Sequence, residues 1–142
     1  MEYAISLARR AEAEGEVPIG AVIVCDGEAV GEGWNQNIAL NDPSAHAEIM
    51  ALRTAGLQVQ NYRLPECVMY VSLEPCAMCV GAMIHARLKK LFFGAADPKT
   101  GALGGAYDLP AVHPHNHEFE YRGGLMAEET AAMLRTFFRA RR

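Results

Sequence analysis

The run from Cys67 to Gly94 constrains the fold more than any other part of the chain. Cys67 to Leu73 is an apolar run of strand length, Pro75 stands where a helix starts, the uncharged stretch to about Ala86 continues that helix, and Lys90 to Gly94 is a second short strand. A strand, a helix and a strand in that order form a βαβ unit, with parallel strands, a right-handed crossover and the helix packed on the sheet. The chain is therefore read as α/β.

The flanking segments extend the same plan. Residues 2 to 14 place Ala4, Leu7, Ala8 and Ala11 on one face between Arg9, Arg10 and Glu12, the period of an amphipathic helix, which Gly15 should end. Ile19 to Cys25 and Glu28 to Gly33 are short extended runs separated by Asp26-Gly27, the pair favoured in a two-residue hairpin because both positions need positive φ. Trp34 to Ser44 reads as a loop that feeds a helix from about Ala45 to Ala55, with Gly56 as its stop. Ala95 to His117 reads as a long loop, Glu118 to Arg122 as an edge strand, and Met126 to Arg142 as a final helix that turns basic at its end. No repeat, linker or low-complexity segment divides the 142 residues, so one domain over 1–142 is expected.

Composition narrows the function classes. With 51% hydrophobic and 21% charged residues the chain can bury a core and is not a disordered polyampholyte. Its longest stretch free of Asp, Glu, Lys and Arg, Pro75 to Ala86, is far shorter than the roughly 18 residues of a spanning helix, so no membrane partner is expected. Charges at Glu2, Arg9, Arg10, Glu12, Glu14 and Glu16 break up any secretory core, which points to the cytoplasm. The net charge, 13 − 17 = −4, repels polyanions overall, so any nucleic-acid site must be local.

Three groups with zinc-ligand chemistry fall where helices begin: His46 at one start, Cys76 and Cys79 in the first turn of another. The i, i+3 spacing puts both sulfurs on one helical face, beside the positive end of the helix dipole. A set of three leaves the open fourth position of a catalytic zinc site, whereas a structural site closes with four protein ligands. Two other readings stand beside this one: a redox pair, or a zinc knuckle completed by Cys67 or Cys25. Glu48 shifts the balance, because His46-x-Glu48 followed by Pro75-Cys76-x-x-Cys79 is the H-x-E…P-C-x-x-C signature of zinc-dependent nucleobase deaminases. At about 100° per residue His46 and Glu48 would point about 200° apart on a regular helix, so His46 must sit at or before the cap on non-helical backbone. In that arrangement zinc supplies a hydroxide nucleophile and Glu48, which is not a ligand, shuttles its proton.

The segments Glu16–Val22, Gly31–Asn35, Ala45–Leu52, Leu73–His85, Asp97–Gly101 and Phe137–Arg139 together resemble the bacterial tRNA-specific adenosine deaminases of the cytidine/deoxycytidylate deaminase superfamily, in order and over essentially the whole chain. The resemblance implies a three-layer α/β/α fold around a central mixed five-stranded sheet, a homodimer, one Zn²⁺ per subunit, and hydrolytic conversion of the wobble adenosine to inosine in the anticodon stem-loop of an arginine tRNA. It makes His46, Cys76 and Cys79 the zinc ligands and Glu48 the proton shuttle. It also makes Asn35, Asp97, Phe138 and Arg139 substrate contacts, where the residues alone equally read as a loop Asn, a loop Asp and a cation-decorated helix end. Arg135, Arg141 and Arg142 add charge around Phe137 and Phe138, offering phosphate contacts and a stacking surface. Arg87, Lys89 and Lys90 read as a solvated helix end, Met78 and Met83 as packing, and the His113, His115, His117 cluster as a plain loop rather than a second metal site. Residues 102 to 117 resemble the family least, and a deaminase of a small free base or nucleoside shares the same zinc signature.

Overall fold

The computed structural model describes residues 1–112 and 114–142. In chain order it contains α1 (Glu2–Ala13), β1 (Gly20–Cys25), β2 (Glu28–Trp34), α2 (Asn37–Leu40), α3 (Ala47–Val59), β3 (Cys67–Leu73), α4 (Ala77–His85), β4 (Lys90–Ala95), α5 (Leu109–Val112), β5 (Glu120–Arg122) and α6 (Ala127–Arg139). The five strands form one sheet in the order β2-β1-β3-β4-β5. β1 pairs antiparallel with both β2 and β3, while β3–β4 and β4–β5 are parallel, so the sheet is mixed as expected. Asp26 and Gly27 take positive φ of 50° and 79° at the hairpin turn.

Strand periodicity sorts the core into two layers. Ala21, Ile23, Met69, Val71, Leu91 and Phe93 point to one face and pack with Ala47, Ala51 and Ala55 of α3 and with Cys79, Val80, Met83 and Ile84 of α4. Val22, Val24 and Tyr70 point to the other face and pack with Ala4 and Leu7 of α1, joined by Trp34. On that second face α6 is tied to α1 by the Arg9–Glu129 ion pair and to β4 by Thr130, whose hydroxyl accepts the Ala95 N–H at 3.0 Å. The result is helix, sheet, helix.

α3 sits unusually close to the sheet, for a compositional reason. Its alanine stripe at i, i+4, i+8 lies over Gly31 and Gly33 of β2, and a methyl group on Gly33 would fall 2.5 Å from the Ala51 nitrogen. Glycine is required there by close approach of backbone to backbone rather than by a turn.

Several boundaries differ from expectation. α3 runs through Gly56 and stops at Gln60, whose left-handed backbone (φ 55°) turns its N–H onto the Leu57 carbonyl. Packing of Ala51 and Ala55 carries the helix past a residue that only weakly disfavours it. The loop after β2 contains α2, and the loop after β4 contains α5; both are four residues long, too short to show a hydrophobic period. β5 keeps only three residues of the predicted edge strand. Among the described residues no helix is long and apolar enough to cross a membrane.

Candidate active site

Two helix N-termini converge on one point. His46 is the N-cap of α3 with extended backbone (φ −72°, ψ 152°), and Cys76 is the N-cap of α4, also extended (φ −78°, ψ 174°). The departure from helical phase that His46 and Glu48 require is therefore present. Cys76 corrects one detail, since it lies just before the first turn of α4 and only Cys79 lies within it. Cap geometry swings the Cys76 sulfur beside that of Cys79 all the same.

His46 Nδ1 lies 3.7 Å from Cys76 Sγ and 3.6 Å from Cys79 Sγ, and the three donor atoms are mutually within 4.8 Å. Zinc bonds of about 2.1 Å to nitrogen and 2.3 Å to sulfur at tetrahedral angles give an N···S edge of about 3.6 Å. The donor set thus already has the size and chemistry of a zinc site. No other group of three His, Cys, Asp or Glu side chains able to hold a metal occurs among the described residues. Cys25 and Cys67, the conceivable fourth ligands, stand opposite each other on β1 and β3 and are joined in a disulfide. The two free thiols are coupled: Cys79 hydrogen-bonds to Cys76, which pulls the Cys76 thiol well below its ordinary value and pushes the buried Cys79 up.

Glu48, in the first turn of α3, is 3% exposed, and its Oε2 is buried with no hydrogen-bond partner. Burial pushes its carboxyl from 4.5 up to about 7. An orphaned carboxylate oxygen in a core is expensive to keep and marks a place where another group belongs. The Glu48 carboxyl lies beside the His46, Cys76, Cys79 cluster, with a hydrogen bond to Cys79 that leaves Oε2 unpaired.

The chain belongs to the zinc-binding cytidine and deoxycytidylate deaminase family. Residues 1–95 match the model of the cytidine and deoxycytidylate deaminase zinc-binding region. The chain is 51% identical, over 143 aligned residues, to the tRNA-specific adenosine deaminase of Haemophilus influenzae, covering all of this chain and 83% of that one. A solved structure from work on A-to-I editing by tRNA:A34 deaminases at the wobble position superposes with a TM-score of 0.86 at 42% identity, covering 94% of this chain and 97% of the other. The guanine deaminase of Bacillus subtilis is a more distant structural relative, with a TM-score of 0.68 at 33% identity over 98% of this chain and 88% of that one. This deaminase thus has the cytidine-deaminase-like fold and a donor set that fits zinc.

The expected substrate contacts fall in different settings. Asn35 is 5% exposed, just after β2, and its Oδ1 accepts the Ala47 N–H at 2.9 Å, which locks it to the first residue of α3. Asp97 follows β4 at the same sheet edge from which Cys76 emerges, and its carboxylate accepts the Lys99 N–H and the Thr100 hydroxyl. Trp34, by contrast, is fastened to α1: its ring N–H donates to Glu14 at 2.8 Å, and the Arg10 guanidinium lies 3.7 Å over the ring. On α6, Phe137 is buried beneath the Arg141 guanidinium, whereas Phe138 is 49% exposed and Arg139 is exposed. The structure does not bring Phe138 or Arg139 into contact with the zinc donors. His113 lies outside the described residues; His115 and His117 place ring nitrogens 3.2 and 2.6 Å from the carbonyls of Leu109 and Leu88, as befits a loop held to its neighbours.

Two buried glutamates escaped the sequence reading. Glu16, 2% exposed, accepts the N–H groups of Ile38 and Ala39 and so fixes the start of α2 beside Asn35. Glu74, 3% exposed, holds the segment that follows β4. Neither has a helical or strand period to reveal it; the only sequence signal is a carboxylate set among apolar residues and prolines.

Proposed function

We propose that residues 1–142 form one zinc-dependent deaminase domain that converts adenosine to inosine at the wobble position of a tRNA anticodon stem-loop, that of an arginine tRNA, in the cytoplasm. The observation that carries the chemistry is the unpaired, buried Glu48 Oε2 beside a three-donor cluster of tetrahedral size. His46, Cys76 and Cys79 would hold one Zn²⁺ per chain, with its fourth position open; when bound, the metal is a Lewis acid that makes water a usable nucleophile near neutral pH.

The chain's own residues do the rest. The Glu48 carboxylate accepts a proton from the attacking water and delivers it to the ring nitrogen next to the attacked carbon; it then moves the remaining hydroxyl proton onto the amino group, which leaves as ammonia. Burial raises the Glu48 carboxyl above the ordinary carboxylate range, which suits a group that must both take and give a proton. Water ends as the carbonyl oxygen of inosine and the amino group leaves as ammonia, so the atoms balance without a further reactant. The Asn35 amide, already anchored by Ala47, would donate to the flipped purine, and Asp97 would contact the nucleotide. Phe138 and Arg139, exposed on the last turn of α6, would stack on and pair with the stem-loop further out.

The reading includes a homodimer. A groove of about 1120 Å³ lined by Ile49, Leu52, Leu57, Tyr62, Ala82 and His85 runs between α3 and α4, and Leu57 and Tyr62 are 81% and 73% exposed. A second copy docked there would rest on the two helices whose N-terminal ends hold His46, Glu48, Cys76 and Cys79.

The test is product analysis with zinc-loaded protein on an arginine tRNA anticodon stem-loop, with free adenosine, cytidine and guanine in parallel. Inosine at the wobble position alone is the expected result. Turnover of guanine or a free nucleoside with the stem-loop untouched would keep the zinc chemistry and overturn the RNA assignment.

A further inference from the structure

Glu74 lies between the last residue of β3 and Pro75-Cys76, with its side chain 3% exposed. Its Oε2 accepts the Asp97 N–H at 2.8 Å, and its Oε1 accepts the N–H groups of Leu103 at 2.9 Å and Gly105 at 2.8 Å. None of the ion pairs among the described residues involves it. A buried carboxylate is thus satisfied entirely by backbone donors of one loop, an arrangement stronger than neutral hydrogen bonds and fixed in direction.

That loop is wrapped tightly around the carboxylate. A Cβ on Gly101 would lie 2.5 Å from the Asp97 carbonyl oxygen and closer still to the Glu74 carboxyl carbon, and one on Gly105 would collide with Oε2. The Ala102 N–H also donates to the Pro75 carbonyl at 2.9 Å, so the loop docks on the residue preceding Cys76. β3 and β4 are parallel with Leu73 opposite Ala95, which brings Cys76 and Asp97 out at the same carboxyl edge of the sheet, where α/β proteins bind ligands.

We propose that Glu74 is a positioning residue: by holding the 97–105 loop against the strand-to-helix junction that carries Cys76, it sets the place of Asp97 at the mouth of the site. The proposal rests on the deaminase reading of that site and adds a residue that touches neither zinc nor substrate. Glu74→Gln keeps the shape but replaces one acceptor with a donor, which must face either the Asp97 N–H or those of Leu103 and Gly105.

The experiment compares zinc-loaded parent, Glu74→Gln, Asp97→Ala and the double variant, with metal content and amide hydrogen exchange measured on each. Expected for Glu74→Gln are one zinc per chain, faster exchange confined to residues 97–105, and a fall in kcat/KM of about 10- to 100-fold, the range a hydrogen bond to a charged group controls, carried mainly by KM. The double variant should be no worse than Asp97→Ala alone, since Asp97 is the group through which Glu74 acts. Gly105→Ala, which pushes the loop from its own side, should reproduce the exchange and KM changes and serves if Glu74→Gln does not fold. Parental kinetics, multiplicative losses in the double variant, or activity lost in step with zinc would overturn the proposal. If the parent deaminates a free base instead of RNA, the functional reading fails, and the same non-additivity measured on that base decides whether Glu74 positions the loop.

Discussion

Gly33→Ala tests whether the seat of α3 on the sheet places the active site. The added methyl would lie 2.5 Å from the Ala51 nitrogen, where ordinary contact is about 3.5 Å, so the helix must lift by about 1 Å. Both obstructing partners nearest the methyl are backbone atoms of α3, which no side-chain rotation can relieve. Overpacking of this kind costs about 1–3 kcal/mol, and a backbone clash belongs at the upper end, which lowers Tm by on the order of 10 °C. His46 caps this helix and Glu48 lies in its first turn. A 1 Å displacement of catalytic groups is worth about 100-fold in rate, so activity should fall by that factor even in the fraction that stays folded. The assay is thermal unfolding with zinc titration and deamination rate on the same samples. Gly81→Ala is the control: apart from its chain neighbours and its own helix backbone, no atom lies within 4 Å of the added methyl, and alanine is favoured inside a helix, so it should be neutral or slightly stabilising. A Gly33→Ala protein with parental Tm would refute the packing argument, and one with lowered Tm but parental rate would refute the link between this contact and the site.

Glu48→Gln should keep one zinc per chain and the fold while turnover drops about 10²- to 10⁴-fold, as inosine release and metal analysis will show; parallel loss of zinc would make Glu48 a ligand. Replacing both Cys25 and Cys67 with alanine should leave zinc content and rate unchanged, because these residues bond to each other across β1 and β3 and not to the site. Phe138→Ala combined with Arg139→Ala should raise KM for the stem-loop about 10-fold or more, with at most a small fall in Tm from the lost edge contact of Phe138 on Phe137; an unchanged KM would remove the end of α6 from the RNA surface.

The elements that define the layers were legible because they follow a period or a turn rule. The βαβ unit, the Asp26-Gly27 hairpin and the amphipathic α1 each bury one face and carry its signature. His46 and Glu48 could be placed by phase alone, since only a capping His46 lets both reach one point, and the extended backbone at His46 bears that out. Elements without a period were not legible. α2 and α5 are single turns, and α3 outruns Gly56 because its buried alanines, not its local preference, decide where it ends. Glu16 and Glu74 were missed for a related reason: each serves backbone N–H groups of a loop 22 or more residues away, a relation that appears only once the chain has folded.

A single zinc held by His46, Cys76 and Cys79 is proposed to drive deamination of an RNA adenosine. Zinc titrated into chelated protein, with inosine read at the wobble position of the stem-loop, tests it most directly. Activity should rise in proportion to metal, saturate at one zinc per chain, and be absent from a Cys76→Ser protein at the same zinc concentrations. Full inosine formation before any zinc is added, or a protein saturated at one zinc that leaves the wobble adenosine untouched, would contradict it.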